Sequence, residues 1–212
     1  MCGIAGLVDL KGAPVSPAVL QRMTDALAHR GPDGEGQWIE GNVGLGHRRL
    51  AIIDLSPAGH EPMVSADHRY VLTYNGEVYN FRELRAELEA LGYWFRSKTD
   101  AEVVLNALAE WGLTALDRFN GMFALALWDR KERRLLLARD RYGIKPLYVA
   151  RQGGRFAFAS EQKALTGLPG FSAALDRAAL FEYFTFQNIF TDRTLLAGVE
   201  LLPPGHYATL DL

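Results

Sequence analysis

The chain has 212 residues, of which 49% are hydrophobic and 23% charged, which suits one large domain or two small ones with a sizeable buried core. Its formal net charge of -2, without any charged block, does not favour a nucleic-acid-binding protein. No apolar stretch is long enough to cross a bilayer and the N-terminus lacks the pattern of a signal peptide, so we expect a cytoplasmic location and no membrane attachment.

The first part of the chain predicts one helix among short strands. Residues 4–8 form an apolar run that is typical of a buried strand. Ser16-Pro17 has the pattern of a helix start with proline in the first turn, and Arg30-Gly31-Pro32 predicts the end of that helix. Further strands are predicted at 38–39, 43–54 and 69–74.

Two helices and a β-rich half follow. Asn80-Phe81-Arg82-Glu83 and Thr99-Asp100-Ala101-Glu102 resemble capping boxes, and the helical patterns behind them end at Gly92 and Gly112. Residues 122–128 are apolar on both faces, which predicts a strand covered on both sides. Other elements are expected at 135–138, 147–150, 156–159 and 206–210 as strands, and at about 176–184 as a helix. Because helices and strands do not alternate regularly, the pattern favours an α+β fold of packed layers.

Cys2 is the sole cysteine and directly follows the initiator methionine. A small second residue generally permits removal of Met1, which leaves a cysteine with a free α-amine. The thiol can then be a nucleophile and the amine its base, since their reference pKa values are about 8.5 and about 7.7–8.0. A buried structural cysteine is the alternative, and position alone does not separate the two.

Eight segments form an ordered set of motifs along the chain. They are Met1–Gly6, His29–Gly34, Gly46–Asp54, Tyr74–Asn80, Thr99–Val104, Asn120–Ala124, Arg139–Tyr148 and Ala159–Leu165. Together they resemble the class II glutamine amidotransferases, which are N-terminal nucleophile hydrolases, and within them the asparagine synthetase-like branch. The resemblance runs from residue 2 to the end. It implies a four-layer αββα sandwich with two stacked antiparallel sheets, and hydrolysis of L-glutamine to L-glutamate and ammonia.

The resemblance also sets expectations for domains and partners. In the family an ATP-using synthetase domain follows and makes asparagine, but its Ser-Gly-Gly-rich loop does not occur here. Residues 1–212 are therefore expected to be the glutaminase domain, with ATP and Mg needed only in a synthetase domain outside this chain. No cofactor and no metal are expected in these residues. The expected partners are L-glutamine and the synthetase domain in cis, a homodimer stays open, and the ammonia acceptor is not named by the sequence.

The resemblance assigns roles to particular residues. Cys2 would attack the glutamine amide to give a tetrahedral oxyanion and then a thioester. The side chain of Asn75 and the backbone N–H of Gly76 would stabilise the oxyanion. Arg49 would bind the α-carboxylate of glutamine, and Asp100 its α-ammonium group. Four further residues would line the substrate pocket: Leu50, Ile52, Ile53 and Glu77.

Several of these residues have a plain structural alternative. Asn75-Gly76 is also a common hairpin turn, and Arg48-Arg49 can be ordinary surface, with Arg48 pointing away from Arg49 into solvent. Asp100 favours the first turn of a helix whatever else it does, and Glu102 is expected to serve the helix cap.

Other segments carry weaker expectations. His29 and His47 are not expected to be catalytic, because the terminal amine makes a histidine base unnecessary. The segment from Gly31 to Gly36 does not match a phosphate loop and is expected to be a mobile loop over the pocket. Arg139–Tyr148 either packs near the partner domain or simply connects two strands. The competing functions are a non-catalytic scaffold of the same fold and an N-terminal nucleophile amidase that acts on another amide.

Overall fold

The computed structural model describes all 212 residues, Met1–Leu212, as two stacked antiparallel sheets with helices on their outer faces. The first sheet contains six strands: β1 (Gly3–Asp9), β2 (Gly34–Glu40), β3 (Val43–Arg49), β8 (Tyr148–Gln152), β9 (Arg155–Ala159) and β10 (Val199–Leu201). The second contains five: β4 (Met63–Val64), β5 (Tyr70–Val78), β6 (Gly121–Asp129), β7 (Arg134–Arg139) and β11 (Tyr207–Asp211). Their orders are β10-β8-β9-β1-β3-β2 and β11-β7-β6-β5-β4.

The chain contains six helices. They are α1 (Pro17–Asp25), α2 (Phe81–Ala90), α3 (Asp100–Trp111), α4 (Ala115–Arg118), α5 (Gln162–Leu165) and α6 (Arg177–Phe186). Helices α1 and α5 pack on the six-stranded sheet, and α2 and α3 pack on the five-stranded sheet. The α+β class and the αββα sandwich expected from the sequence are confirmed. None of the helices combines the length and apolar character needed to cross a bilayer.

Strand β1 is buried on both faces because its side chains alternate between two cores. Ile4 and Val8 contact the second sheet, whereas Ala5 and Leu7 contact the helical layer. Gly6 is required between them, since a Cβ built there would lie 2.2 Å from the ring of Phe158. Strands β3 and β9 bind the two edges of β1. The chain therefore enters the sandwich at its centre, and Cys2 immediately precedes this fixed strand.

The doubly apolar strand and the second capped helix are confirmed. Strand β6 lies between β5 and β7 and is buried along most of its length. The Thr99 side chain accepts a hydrogen bond from the backbone N–H of Glu102 at 3.3 Å, as a capping box requires. The other half of the expected capping box is absent, because the Thr99 N–H donates to Ser97 Oγ at 3.3 Å. The Glu102 carboxylate instead accepts from the N–H groups of Arg96 and Ser97, so it stabilises the segment that leads into α3.

Some local expectations were wrong. Helix α1 ends at Asp25, and a 3₁₀ turn at Ala28–Arg30 takes the place of its expected last turns. Asn80 is at the N-cap of α2, but its side chain binds the Arg118 carbonyl and the Asn120 N–H instead of the helix.

Two segments near β3 also differ from expectation. Strand β3 ends at Arg49 rather than at residue 54, and an irregular segment follows. The expected mobile loop is wrong, because Gly34 and Gly36 lie in β2 and pair with Arg49 and His47. A Cβ at Gly36 would lie 2.0 Å from the Glu61 carbonyl oxygen, so this glycine permits close packing.

Candidate active site

A cavity of about 150 Å³ opens where the start of β1, the segment after β3, strand β5 and the first turn of α3 meet. All nine candidate residues named from the sequence line it: Cys2, Arg49, Leu50, Ile52, Ile53, Asn75, Gly76, Glu77 and Asp100. They come from four separate parts of the chain. The fold thus brings the whole candidate set together at one place.

The Cys2 thiol is half-buried at the base of this cavity. Its Sγ accepts a hydrogen bond from the Leu50 N–H at 3.4 Å and lies 3.7 Å from the Leu50 carbonyl oxygen. Burial and then the negative charge of Glu61 raise the pKa of the Cys2 thiol to about 11, while the Leu50 hydrogen bond lowers it. With Met1 attached, the thiol is therefore neutral near pH 7 and needs a base to become a nucleophile.

Asn75 lies in β5, paired with Ala124 of β6, so the hairpin-turn alternative for Asn75-Gly76 is wrong. Its side chain is 1% exposed, and its Nδ2 is buried without any hydrogen-bond partner. An unpartnered buried donor costs about 1–3 kcal/mol, so such groups are rare and call for an explanation. Because Asn75 lines the same cavity as Cys2, its unpartnered amide is a candidate donor for a developing oxyanion.

Gly76 is the next residue of β5 and must be a glycine for steric reasons. A Cβ there would lie 2.6 Å from the Met122 carbonyl oxygen and 2.7 Å from the Phe123 Cβ. Any side chain would therefore push β5 away from β6 and widen the site. The Asn75-Gly76 pair combines one free side-chain donor with a backbone that neighbouring groups can approach closely.

Arg49 is the last residue of β3, and its guanidinium group is held by the irregular segment that follows. Nη1 donates to the Ser56 carbonyl at 2.9 Å, and Nη2 donates to the Asp54 carbonyl. Gly59 gives this group room, since a Cβ there would lie 2.3 Å from Arg49 Nη2. The preceding residue, Arg48, does point away from the cavity as expected, but it is ion-paired with Glu35 and Asp25 rather than free in solvent.

Asp100 opens α3 and is also tied to β5. Its Oδ2 accepts hydrogen bonds from the Tyr74 hydroxyl at 2.8 Å and from the Val78 N–H at 2.9 Å. Burial raises the pKa of the Asp100 carboxyl above its usual value. Asp100 therefore has two roles at once, because it begins α3 and also lines the cavity.

Glu61 is a cavity residue that the sequence did not indicate. It is buried, and its Oε2 accepts a hydrogen bond from the Tyr74 N–H at 2.7 Å. Its Oε1 lies 3.5 Å from His47 Nε2. Burial, with a smaller contribution from Asp100, raises the pKa of the Glu61 carboxyl well above its usual range. A glutamate between His60 and Pro62 looks like an ordinary loop residue, so no local signal could have identified it.

The two histidines near the motifs do not line the cavity. His47 is fully buried, its Nε2 donates to the Tyr74 carbonyl at 3.1 Å, and burial lowers its pKa to about 3. His29 is outside, 2.9 Å from the Glu161 carboxylate. No group of three or more His, Cys, Asp or Glu side chains is arranged to hold a metal ion.

Arg139–Tyr148 is more than a simple connection between strands. Arg139, Asp140 and Lys145 are buried, and the Asp140 carboxylate accepts hydrogen bonds from the N–H groups of Ile144 and Lys145. Lys145 lines the cavity. Whether the segment also packs near a second domain stays a prediction.

Comparison with known proteins identifies the family. The family model described as "Glutamine amidotransferase domain" matches residues 1–212. The chain belongs to this family. Asparagine synthetase [glutamine-hydrolyzing] 3 of Bacillus subtilis (strain 168) is 41% identical over 213 residues, which cover 99% of this chain and 34% of that protein. A putative asparagine synthetase [glutamine-hydrolyzing] of Mycobacterium tuberculosis (strain ATCC 25618 / H37Rv) is 40% identical over 230 residues, 99% of this chain and 35% of that protein.

A solved structure supports the fold independently. The glutamine phosphoribosylpyrophosphate amidotransferase from B. subtilis superposes with a TM-score of 0.67 over 78% of this chain and 43% of that chain, at 21% sequence identity. This likeness concerns the fold alone. This member of the glutamine amidotransferase family spans about a third of the length of these two curated relatives. The expected recognition, fold and enzyme class are confirmed.

Proposed function

We propose that this chain hydrolyses L-glutamine to L-glutamate and ammonia through a thioester on Cys2. The observation that carries the proposal is that Asn75, whose side-chain Nδ2 has no hydrogen-bond partner, lines the same cavity as Cys2. A nucleophile and a free donor in one cavity are what acyl transfer from an amide requires. The family membership supports glutamine as the amide.

The first half of the reaction consumes the amide. Once Met1 is removed, the α-amine of Cys2 takes the thiol proton, and the thiolate attacks the side-chain amide carbon of glutamine. The resulting oxyanion accepts hydrogen bonds from Asn75 Nδ2 and the Gly76 N–H. The protonated amine gives its proton to the leaving nitrogen, so that ammonia departs and a glutamyl thioester remains.

The second half regenerates the enzyme. The neutral α-amine takes a proton from water, which attacks the thioester carbon and forms a second oxyanion at the same two donors. Collapse of this intermediate breaks the C–S bond, and the proton returns to sulfur as glutamate leaves. The same base, nucleophile and oxyanion donors thus act in both halves of the reaction, and none of these roles needs a metal or cofactor.

Charged groups in the lining of the cavity favour a free amino acid as substrate. The Arg49 guanidinium can bind an α-carboxylate, and the Asp100 carboxylate can bind an α-ammonium group. Glu77 adds negative charge on the same wall. A general amidase that acts on uncharged amides would have no use for this arrangement. The presence of Cys2 and the free Asn75 donor likewise argues against a scaffold that has lost its chemistry.

We also propose where the ammonia goes. The two curated relatives described above are named asparagine synthetases and are about three times longer than this chain. Residues 1–212 would then be the glutaminase domain, followed in cis by a synthetase domain that uses ATP and Mg, with no cofactor in the residues described here. A cytoplasmic location belongs to the same proposal, because a reducing compartment keeps the Cys2 thiol free.

The test uses a sample whose loss of Met1 is verified by intact mass. Glutamate release is measured for the wild type and for Cys2→Ala, with thermal unfolding as a check that both are folded. We expect release to fall to background in the variant, and an acid-quenched wild-type reaction to carry one added glutamyl group. Undiminished release in Cys2→Ala would refute the mechanism. No release from the Met1-free wild type would favour the scaffold alternative.

A further inference from the structure

Lys145 extends from a rigid segment into the active-site cavity. Its backbone N–H donates to Asp140 Oδ2 at 3.0 Å, and its carbonyl accepts from Arg139 Nε at 2.8 Å. The residue is 3% exposed and lines the same cavity as Cys2. Lysine is among the residues that are least often buried without a partner, so this placement needs a reason.

The ammonium group of Lys145 has no carboxylate partner within ion-pair distance. Its one side-chain hydrogen bond is to the Met1 sulfur, 2.9 Å from Nζ. Burial, and then the charge of Arg30, lower the pKa of Lys145 below its usual value. The Lys145 ammonium group therefore contacts only Met1, which the proposed reaction requires to be removed, and the packing of the fold does not explain why this charge is buried.

Charged groups of both signs surround Cys2. Lys145 and Arg49 are the cationic residues that line the cavity. Arg30 is outside this lining, where its Nε donates to the Cys2 carbonyl at 2.9 Å and its Nη1 is ion-paired with Glu161 at 2.9 Å. Glu61 and Asp100 are among the anionic residues of the lining, and both raise the pKa of the thiol. Asp140 and Glu77 act on Lys145 in the opposite sense to Arg30 and stabilise its charged form.

We propose that Lys145 is a positioning residue for the nucleophile, whose ammonium group keeps the α-amine of mature Cys2 neutral and able to accept a proton, and favours the thiolate that forms when the amine takes the thiol proton. This inference rests on the proposed glutamine hydrolysis. Removal of Met1 takes away the sulfur that Lys145 contacts and leaves the new terminal amine and the thiol beside it. A neighbouring positive charge favours the anionic form of a thiol and the uncharged form of an amine. The positive charge of Lys145 therefore opposes the negative charges of Glu61 and Asp100, which would otherwise keep the thiol protonated.

The single cysteine makes the test specific, because alkylation of the chain reports on Cys2 alone. The rate of iodoacetamide addition is followed by intact mass over a range of pH in the Met1-free wild type, Lys145→Met and Lys145→Arg. Lys131→Met, an exposed lysine outside the cavity, is the matched control. We expect the alkylation midpoint of Lys145→Met to rise by about one pH unit or more, and those of Lys145→Arg and Lys131→Met to stay at the wild-type value.

A second measurement separates this role from a purely structural one. The acidic limb of the pH profile of kcat/KM for glutamine should move upward in Lys145→Met and return to its wild-type position in Lys145→Arg, because the loss of a positive charge also makes the α-amine harder to deprotonate. Lys145→Gln repeats both measurements with another neutral side chain. An unchanged midpoint in either folded neutral variant overturns the inference.

The two proposals fail in different ways. If Lys145 has no electrostatic role, the wild type still releases glutamate and Cys2→Ala still does not. If the proposed hydrolysis is wrong, the Met1-free wild type releases no glutamate, whatever the alkylation midpoints are.

Discussion

Replacement of Asn75 by alanine should separate catalysis from stability. The Asn75 Nδ2 makes no hydrogen bond in the free protein, so its removal breaks none. In the proposed reaction the same atom donates to the oxyanion, and loss of one such donor typically costs roughly 10²–10³ in kcat, or about 2.7–4 kcal/mol. We therefore expect kcat for glutamine to fall by that factor.

The stability of Asn75→Ala should change little. The variant relieves the cost of about 1–3 kcal/mol for a buried unsatisfied donor, and this gain offsets the packing lost when the side chain is shortened. The free energy of unfolding is expected to change by no more than about 1 kcal/mol. Urea denaturation at neutral pH measures it.

Asn42→Ala is the matched control with the opposite outcome. Asn42 lies in the turn between β2 and β3, donates from Nδ2 to the Asp9 carbonyl at 2.9 Å and accepts from Arg133 Nη2 at 3.1 Å. Its loss should cost about 1 kcal/mol or more of stability and leave kcat unchanged. The reasoning fails if Asn75→Ala keeps kcat within about tenfold of the wild type, or if it loses more stability than Asn42→Ala.

Two further substitutions test the cavity walls. Glu61→Gln should gain stability relative to the wild type as pH rises, because folding raises the pKa of the Glu61 carboxyl. Such a carboxyl stabilises the folded state below its unfolded pKa of about 4.3, and this contribution is lost as pH rises toward the folded value. The difference in unfolding free energy between variant and wild type should therefore widen between pH 5 and 8, and a constant difference would contradict this. Arg49→Lys should raise KM for glutamine by about tenfold or more, with a smaller effect on kcat. An ammonium group cannot donate to the Asp54 and Ser56 carbonyls and also bind a carboxylate through two parallel hydrogen bonds. An unchanged KM would argue against carboxylate binding by Arg49.

The parts of the fold that could be predicted are those with strong local signals. The Thr99 cap and the doubly apolar strand β6 depend on residues close together in the chain, and both were predicted within a residue or two. The candidate residues of the cavity were found through ordered motifs rather than through their spacing. Periodicity alone could not have joined Cys2 to Asn75 or Asp100.

The parts that could not be predicted depend on contacts between distant segments. Gly36 belongs to a strand because it pairs with His47 of β3, and it has no side chain because the Glu61 backbone packs against it, 25 residues further along the chain. A glycine-rich segment looks locally like a loop. Strand β3 ends at Arg49 because the guanidinium group binds carbonyls just beyond it. Lys145 was placed in a connecting segment, since charged residues are usually exposed and nothing beside it in the sequence marks it as buried.

The central position of β1 decides how the protein can be handled. Since β3 pairs with β1 from Gly3 onward and β9 pairs with it from Ala5 onward, the first residues cannot slide to make room for anything placed ahead of them. A purification tag or an uncleaved leader would run out through the cavity, along the path that Met1 takes toward Lys145. Such a preparation would fold and purify normally yet show no turnover, so tags belong after Leu212, at the outer edge of the other sheet.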